Sequence, residues 1–349
     1  MRVSGSASRD PWRTTEAGYT WCSLGRCGVQ AVHFRGPRVT LDPQIQFILD
    51  LAERSTRPLL ESLDPPAARI QYAEMVASVS EDPPGGLVIE DGTIPGPESE
   101  LATRLYRPQG LEGPLPILIF FHGGGYVIGD RNTHDIPCRR LALSARCLVV
   151  SVDYRLSPEH PFPAPVHDAW AATRWVVAHA AELGGDPARV AVGGDSAGGN
   201  LSAVVCHLAK REGGPELAFQ LLIYPGADLT GSMPSHKTLG QGYRLTAELL
   251  DWFMKHYFSQ GGDRHQLIAS PLFADDFTDL PPAYILTAGY DPLKDEGGAY
   301  ADKLSKAGVE AVHVEYEGMI HGFITMGGVV DAATEALEAC GAALRQAFA

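Results

Sequence analysis

The chain has 349 residues, 45% hydrophobic and 20% charged, with a mean hydropathy of -0.06, which is ample for one large α/β domain and an accessory part. A formal net charge of -14 and a pI of 5.3 argue against nucleic acid as a partner, because phosphates repel an acidic surface. No apolar run approaches the roughly 20 residues that span a bilayer, and the scattered Cys22, Cys27, Cys138, Cys147, Cys206 and Cys340 have no ligand-like spacing, pointing to reduced thiols in a cytoplasm and away from zinc.

Residues 1–38 carry six arginines against Asp10 and Glu16, with no periodic apolar pattern. They read as a poorly ordered extension, vector-derived or from an over-called start, with Val39 as a candidate first residue. A transit peptide is compatible with this composition; a secretory signal is not, for lack of an apolar core. From Leu41 the texture changes. Asp42 and Pro43, followed by Ile45, Ile48, Leu49 and Leu51, predict a capped amphipathic helix, and residues 67–79 predict a second. The run DPPGG at 82–86 then breaks the pattern, so residues 39–85 are expected to form an N-terminal cap.

Residues 87–90 and 101–106 are candidate antiparallel edge strands, while 116–121 and 147–152 are nearly continuous apolar runs, as in a sheet buried on both faces. A helix over 164–183, a strand over 190–193 and a helix over 197–212 follow. Strands over 219–224, 284–288 and 311–316 complete the pattern, with a helix over 296–307 and a terminal helix whose Leu337, Cys340, Leu344 and Phe348 share one face. Such alternation implies a doubly wound, mostly parallel sheet flanked by helices. Residues 227–270 interrupt it. There a helix over 246–258 places Leu249, Leu250, Phe253, Met254 and Tyr257 on one face; it is either an ordinary helix packed on the sheet or, as we prefer, a second piece of cap over the site.

The chemistry centres on Gly194-Asp195-Ser196-Ala197-Gly198, a G-x-S-x-G at a strand-to-helix turn that would push the Ser196 hydroxyl outward. A nucleophilic serine also needs a base, a carboxylate to orient that base, and donors for the oxyanion. The donors are expected from the Ala197 N–H and from the loop His122-Gly123-Gly124-Gly125-Tyr126, whose glycines allow close approach of the main chain; His122 would brace that loop. A phosphate loop is disfavoured because no Gly-Lys-Ser/Thr follows. For the base, His207 and His256 fall in helices, His313 in a strand, and His236 and His265 in the interrupting stretch. His321 lies in a loop between the last strand and the last helix, as the chain order Ser, Asp/Glu, His requires. Asp291, just past the preceding strand, is the preferred carboxylate. Its competing reading is a helix cap before Pro292; Asp295 and Glu296 also compete, and Asp295, at the helix start, suits capping better.

Together the segments HGGGY (122–126), DYRLSPEHPFPAP (153–165), GGDSAGGNL (193–201), LLIYPG (221–226), YDPLKDEG (290–297) and IHGF (320–323) resemble the bacterial hormone-sensitive-lipase-like carboxylesterases, family IV of the α/β-hydrolase fold. The resemblance runs from about Leu41 to the C-terminus; residues before Leu41 have no counterpart. It implies a triad of Ser196, Asp291 and His321, an oxyanion hole from the amides of Ala197 and two of Gly123, Gly124 and Gly125, and a cap over the pocket. Support is expected from Asp195 in the motif and from a buried pair between Arg155 and Glu159 that braces the glycine loop, unless the 153–165 stretch is merely a solvated loop. Tyr126, Phe253 and Tyr257 suggest a modest pocket for short to medium acyl groups. The partner is a small ester, with no metal or cofactor; a homodimer is kept as an expectation. Amide hydrolysis, deacetylation and lactone opening share this chemistry, and binding without catalysis, as in plant gibberellin receptors, is a rival that His321 disfavours.

Overall fold

The computed structural model describes residues 40–349, which fall within one compact unit. The N-terminal extension, Val39, Cys22 and Cys27 lie outside the described residues. In chain order the elements are α1 (Pro43–Glu53), α2 (Pro65–Val79), β1 (Leu87–Pro95), β2 (Glu100–Pro108), β3 (Leu115–Phe121), α3 (Asp135–Ala145), β4 (Leu148–Val152), α4 (Ala164–Ala178), β5 (Gly185–Asp195) and α5 (Ala197–Glu212). They continue with β6 (Phe219–Ile223), α6 (Pro234–Thr238), α7 (Ala247–Tyr257), β7 (Ala283–Tyr290), α8 (Lys294–Lys306), β8 (Ala311–Ile320) and α9 (Asp331–Ala347).

The strands form one sheet in the order β1-β2-β4-β3-β5-β6-β7-β8. β1 and β2 join antiparallel at one edge; every pairing from β4 to β8 is parallel. Each residue of β3, β4 and β6 is buried, because helices cover both faces. Side-chain alternation divides the core accordingly. Ile117, Ile119 and Phe121 pack with α4, α5 and α8, whereas Leu118 and Phe120 pack with α3, α9 and the buried Ile45 and Ile48 of α1. Leu337, Cys340, Leu344 and Phe348 are all buried on that second face.

Local chemistry explains the helix starts. Asp42 accepts from the Gln44 N–H at 2.8 Å, Asp64 from Ala67 at 2.9 Å, and the Thr246 side chain from Leu249 at 3.1 Å, each satisfying an orphan amide of the first turn. Several boundaries differ from the sequence expectation. The helix expected over 164–183 ends at Ala178, and β5 begins at Gly185 rather than 190, since its outer half is polar and partly exposed. β1 and β2 likewise extend past their apolar stretches, held by an antiparallel ladder rather than by burial. The unexpected α3 hides its apolar positions, Cys138, Leu141, Ala142 and Ala145, among arginines and a proline. Among the described residues no helix is long and apolar enough to cross a membrane.

Candidate active site

The carboxyl ends of the parallel strands bring the chemistry together. β3 runs into the glycine loop, β5 into Ser196, β7 into Asp291 and β8 into His321. Ser196 sits at φ 54, ψ -116, between the end of β5 and the first turn of α5. That left-handed backbone is strained for a serine, and it is held by the Ser196 N–H donating to the Ile223 carbonyl at 2.9 Å. Two glycines make the turn feasible: a Cβ on Gly194 or on Gly198 would strike the Phe121 carbonyl.

The half-buried Ser196 hydroxyl lies 2.8 Å from His321 Nε2, and His321 Nδ1 lies 2.7 Å from Asp291 Oδ2. Asp291 is fully buried, and its other oxygen accepts from the Leu293 N–H at 2.8 Å. That bond closes a turn just ahead of α8, whose N-cap is Leu293 with no side-chain cap, so the helix-cap reading of Asp291 does not hold. Asp295 does not cap α8; it accepts from the Ser235 N–H at 2.9 Å. The Tyr224 ring lies against His321, centroids 4.6 Å apart, so the imidazole is held by a hydrogen bond at each nitrogen and by packing on a face. The other candidates do not meet Ser196: His207 contacts Tyr300, His313 bonds Thr287, His256 packs on Trp252, His265 is exposed beside Asp263, and His236 lines the same cavity but lies against Glu296.

The glycine loop departs from the sequence expectation at one position. The Gly123 N–H donates to Asp195 Oδ1 at 2.8 Å, so this amide is committed to a buried carboxylate and is not available to an oxyanion. The N–H groups of Gly124, Gly125 and Ala197 have no partner among the described residues, and all three residues line the cavity beside Ser196. Gly124 and Gly125 have φ of 122 and 58. The Gly124 carbonyl receives the N–H groups of Val127 and Ile128, both at 3.0 Å, which closes the loop on itself.

Behind the loop is a buried network that motif reading located only in part. His122 lies with Nδ1 2.8 Å from the Gly123 carbonyl and stacks on Tyr154, whose hydroxyl donates to the His122 carbonyl at 2.7 Å. Burial pushes the His122 imidazole below its ordinary pKa. Burial would raise the Asp195 carboxyl, but His134, 3.2 Å away, and the Gly123 amide outweigh it and hold the group below the usual carboxylate value. His134 was not singled out in the sequence. It lies in a polar segment after the glycine loop, with no spacing that ties it to the serine motif.

The expected Arg155–Glu159 pair is not formed. The Arg155 guanidinium binds Asp168 of α4 through Nε and Nη2, with Nη2 2.8 Å from Oδ1, and reaches Glu98 at 2.5 Å. Glu159 instead receives Arg69 of α2 at 2.6 Å. Arg69 also donates to the Val127 carbonyl at 2.8 Å and the Ser157 carbonyl at 2.9 Å, so α2 rather than Arg155 ties down the end of the glycine loop. Sequence distance, nearly a hundred residues, concealed this partner.

Above Ser196 opens a cavity of about 1170 Å³, lined by residues of α1, α2 and α7, the glycine loop and His321. It exceeds the ~300–1,000 Å³ of ordinary small-molecule sites, in place of the modest pocket suggested by the aromatic residues. Phe253 packs on Gly125, where a Cβ would collide with its ring, and forms part of the wall. Tyr126 also lines the cavity but is 1% exposed, stacked on Tyr257 with centroids 3.7 Å apart. Tyr257, fully buried, stands behind Tyr126 and is not part of the lining. A further buried acid, Glu296, accepts from the Asp228 N–H at 3.0 Å and lies 3.5 Å from His236. Its burial pushes the carboxyl up to about 8, against the opposing pull of His236. Among the described residues no group of His, Cys, Asp and Glu is arranged to hold a metal ion.

Comparison with known proteins bears on both fold and site. A family model described as the α/β hydrolase fold matches residues 118–325. The chain is 44% identical over 294 residues to the carboxylic ester hydrolase LipN of Mycobacterium tuberculosis, spanning 82% of this chain and 78% of that one. It is 37% identical to an ethyl acetate hydrolase of Pseudomonas putida over 88% of this chain and 99% of that one. Among solved structures, a variant of LAE6, an α/β hydrolase enzyme from the metagenome of Lake Arreo, superposes with a TM-score of 0.86 at 46% identity, covering 88% of this chain and 99% of the other.

Proposed function

This chain belongs to the α/β hydrolase family, and on that footing we propose that Ser196, His321 and Asp291 are its nucleophile, base and orienting acid. It is a carboxylic ester hydrolase. The observation that carries the residue assignment is the unbroken chain from Ser196 Oγ through both nitrogens of His321 to Asp291, 2.8 and 2.7 Å. His321 takes the hydroxyl proton as Ser196 attacks the ester carbonyl, then returns it to the departing alcohol. Water repeats the cycle on the acyl-enzyme. We assign the oxyanion to the amides of Gly124, Gly125 and Ala197, each donor contributing roughly 3–4 kcal/mol to the transition state. Gly123 is left out of this set because its amide serves Asp195.

We further assign residues 39–85 and 227–270 to a cap, supported by the cavity lining drawn from α1, α2 and α7. Short to medium acyl chains remain the proposed range, supported by the Phe253 wall against Gly125. A cytoplasmic location is supported by the free, buried Cys138, Cys147, Cys206 and Cys340, and a homodimer by the terminal place of β8 in the sheet. Light scattering reads the latter. Stopped-flow hydrolysis of para-nitrophenyl esters from acetate to dodecanoate tests the main reading. A burst of one nitrophenol per chain and a rate that falls beyond medium chains are expected; turnover without any acyl-enzyme would refute the covalent route.

A further inference from the structure

The cavity has three arginines in its wall, and they differ in what holds them. Arg57 pairs with Glu74 at 3.2 Å, and Arg264 lies over the Phe258 ring, 5.1 Å from its centroid. Arg244 has neither an ion pair nor a hydrogen bond among the described residues. In a chain with 42 acidic against 28 basic side chains, that is conspicuous. Carboxylates also line this space, but those deepest in it are engaged: Asp195 by His134 and the Gly123 amide, Asp228 by the hydroxyls of Thr230 and Ser232.

The backbone is arranged around this arginine. The Leu245 N–H donates back to the Tyr243 carbonyl at 2.8 Å, closing a three-residue turn with Arg244 at its apex and φ at 70. Such turns are strained for any residue but glycine. The guanidinium is recessed, so burial lowers its proton affinity, yet an arginine keeps its charge at any physiological pH. It lies within electrostatic reach of the hydroxyls of Tyr72 and Tyr224. Tyr72 lines the same cavity and has no hydrogen-bond partner among the described residues; the Tyr224 ring rests on His321. A charged fork and a free hydroxyl therefore face the volume that opens on Ser196.

We propose that Arg244, with Tyr72 on the same cavity wall, is a subsite for a carboxylate borne by the ester, so that this enzyme favours half-esters of dicarboxylic acids or esters of hydroxy acids over plain alkyl esters. The fork geometry of a guanidinium matches a carboxylate bidentately. In a recessed site that contact replaces lost hydration, and it offsets the repulsion an anionic substrate meets from the net charge of -14. The inference rests on the esterase reading, since it concerns only which ester is held.

The test compares kcat/KM for charged and neutral members of matched pairs. One pair places the charge on the acyl half, para-nitrophenyl hydrogen glutarate against para-nitrophenyl methyl glutarate. The other places it on the alcohol half, para-acetoxybenzoate against its methyl ester. In Arg244→Gly, which removes the charge and relieves the turn, the charged-to-neutral ratio should fall at least about tenfold in one of the two pairs, and Arg244→Lys should restore part of it. The pair that responds identifies the half carrying the charge. Thermal melting of Arg244→Gly at or above that of the unsubstituted enzyme is expected from relief of the turn. Equal ratios in the enzyme and in Arg244→Gly for both pairs, with the neutral esters still hydrolysed, would overturn the subsite and spare the esterase reading. Hydrolysis of neither member of either pair would overturn both.

Discussion

Around Ser196 the charged groups at the strand ends are engaged: Asp291 serves His321 and Leu293, and Asp195 serves His134 and Gly123. The wall facing them is built differently. Phe47, Leu51 and Leu59 line the cavity yet are more than half exposed, and Arg244 has no partner among the described residues. The strand ends hold a geometry that must not vary by more than a few tenths of an ångström for proton transfer. The facing wall offers apolar area and one arginine without a partner among the described residues, a surface suited to choosing a substrate. The difference separates chemistry from selection within one cavity.

If that division is right, substitutions at the strand ends should cost rate or fold, and the cost should follow each group's commitments. Asp291→Asn should have the largest effect, roughly 10⁴-fold in kcat, because the amide favours the wrong imidazole tautomer; steady-state kinetics at saturating ester reads it. Gly124→Ala comes next. A Cβ there meets the Ile128 carbonyl at φ 122, displacing the loop amides, so kcat should fall ~10²–10³-fold with a smaller change in KM. Arg155→Ala should act on stability instead, at about 3–5 kcal/mol, because Asp168 is 0% exposed and would be left buried without its counter-ion. Chemical denaturation measures this, and an unchanged midpoint would show that the pair carries no weight.

The smallest effect is a pH dependence at Glu296. With its folded carboxyl near 8 and an ordinary value of 4.5, the native chain holds a proton across that interval which the unfolded chain has released. Native stability therefore falls as pH rises from about 4.5 through 8. Glu296→Gln cannot ionise, so its melting temperature relative to the unsubstituted enzyme should rise steadily between pH 5 and pH 9. A difference independent of pH would contradict a buried, protonated Glu296.

The same division governed what could be read from the residues alone. The parallel sheet was legible because β3, β4 and β6 are buried on both faces and so are written as apolar runs. Ser196, Asp291 and His321 were legible because each stands directly after a strand and follows a fixed chain order. Contacts that close in three dimensions were not. Gly123 could not be told from its two neighbours until the Asp195 carboxylate was seen against its amide. Arg155 matched a motif, but its partner, Asp168, came from the next helix rather than from that motif. Tyr257 had the right helical face for the pocket and ended behind Tyr126, since an aromatic stripe does not say which ring stands in front. Arg244 carried no signal at all, one arginine in a polar loop.

Whether Ser196 is the nucleophile made competent by His321 is read by treatment with a para-nitrophenyl alkylphosphonate followed by peptide mass spectrometry. One stoichiometric adduct on Ser196 is expected in the unsubstituted protein, with labelling slowed by several orders of magnitude in His321→Ala while that variant still melts cooperatively. An adduct on any other residue, or equal labelling with and without His321, would contradict that role.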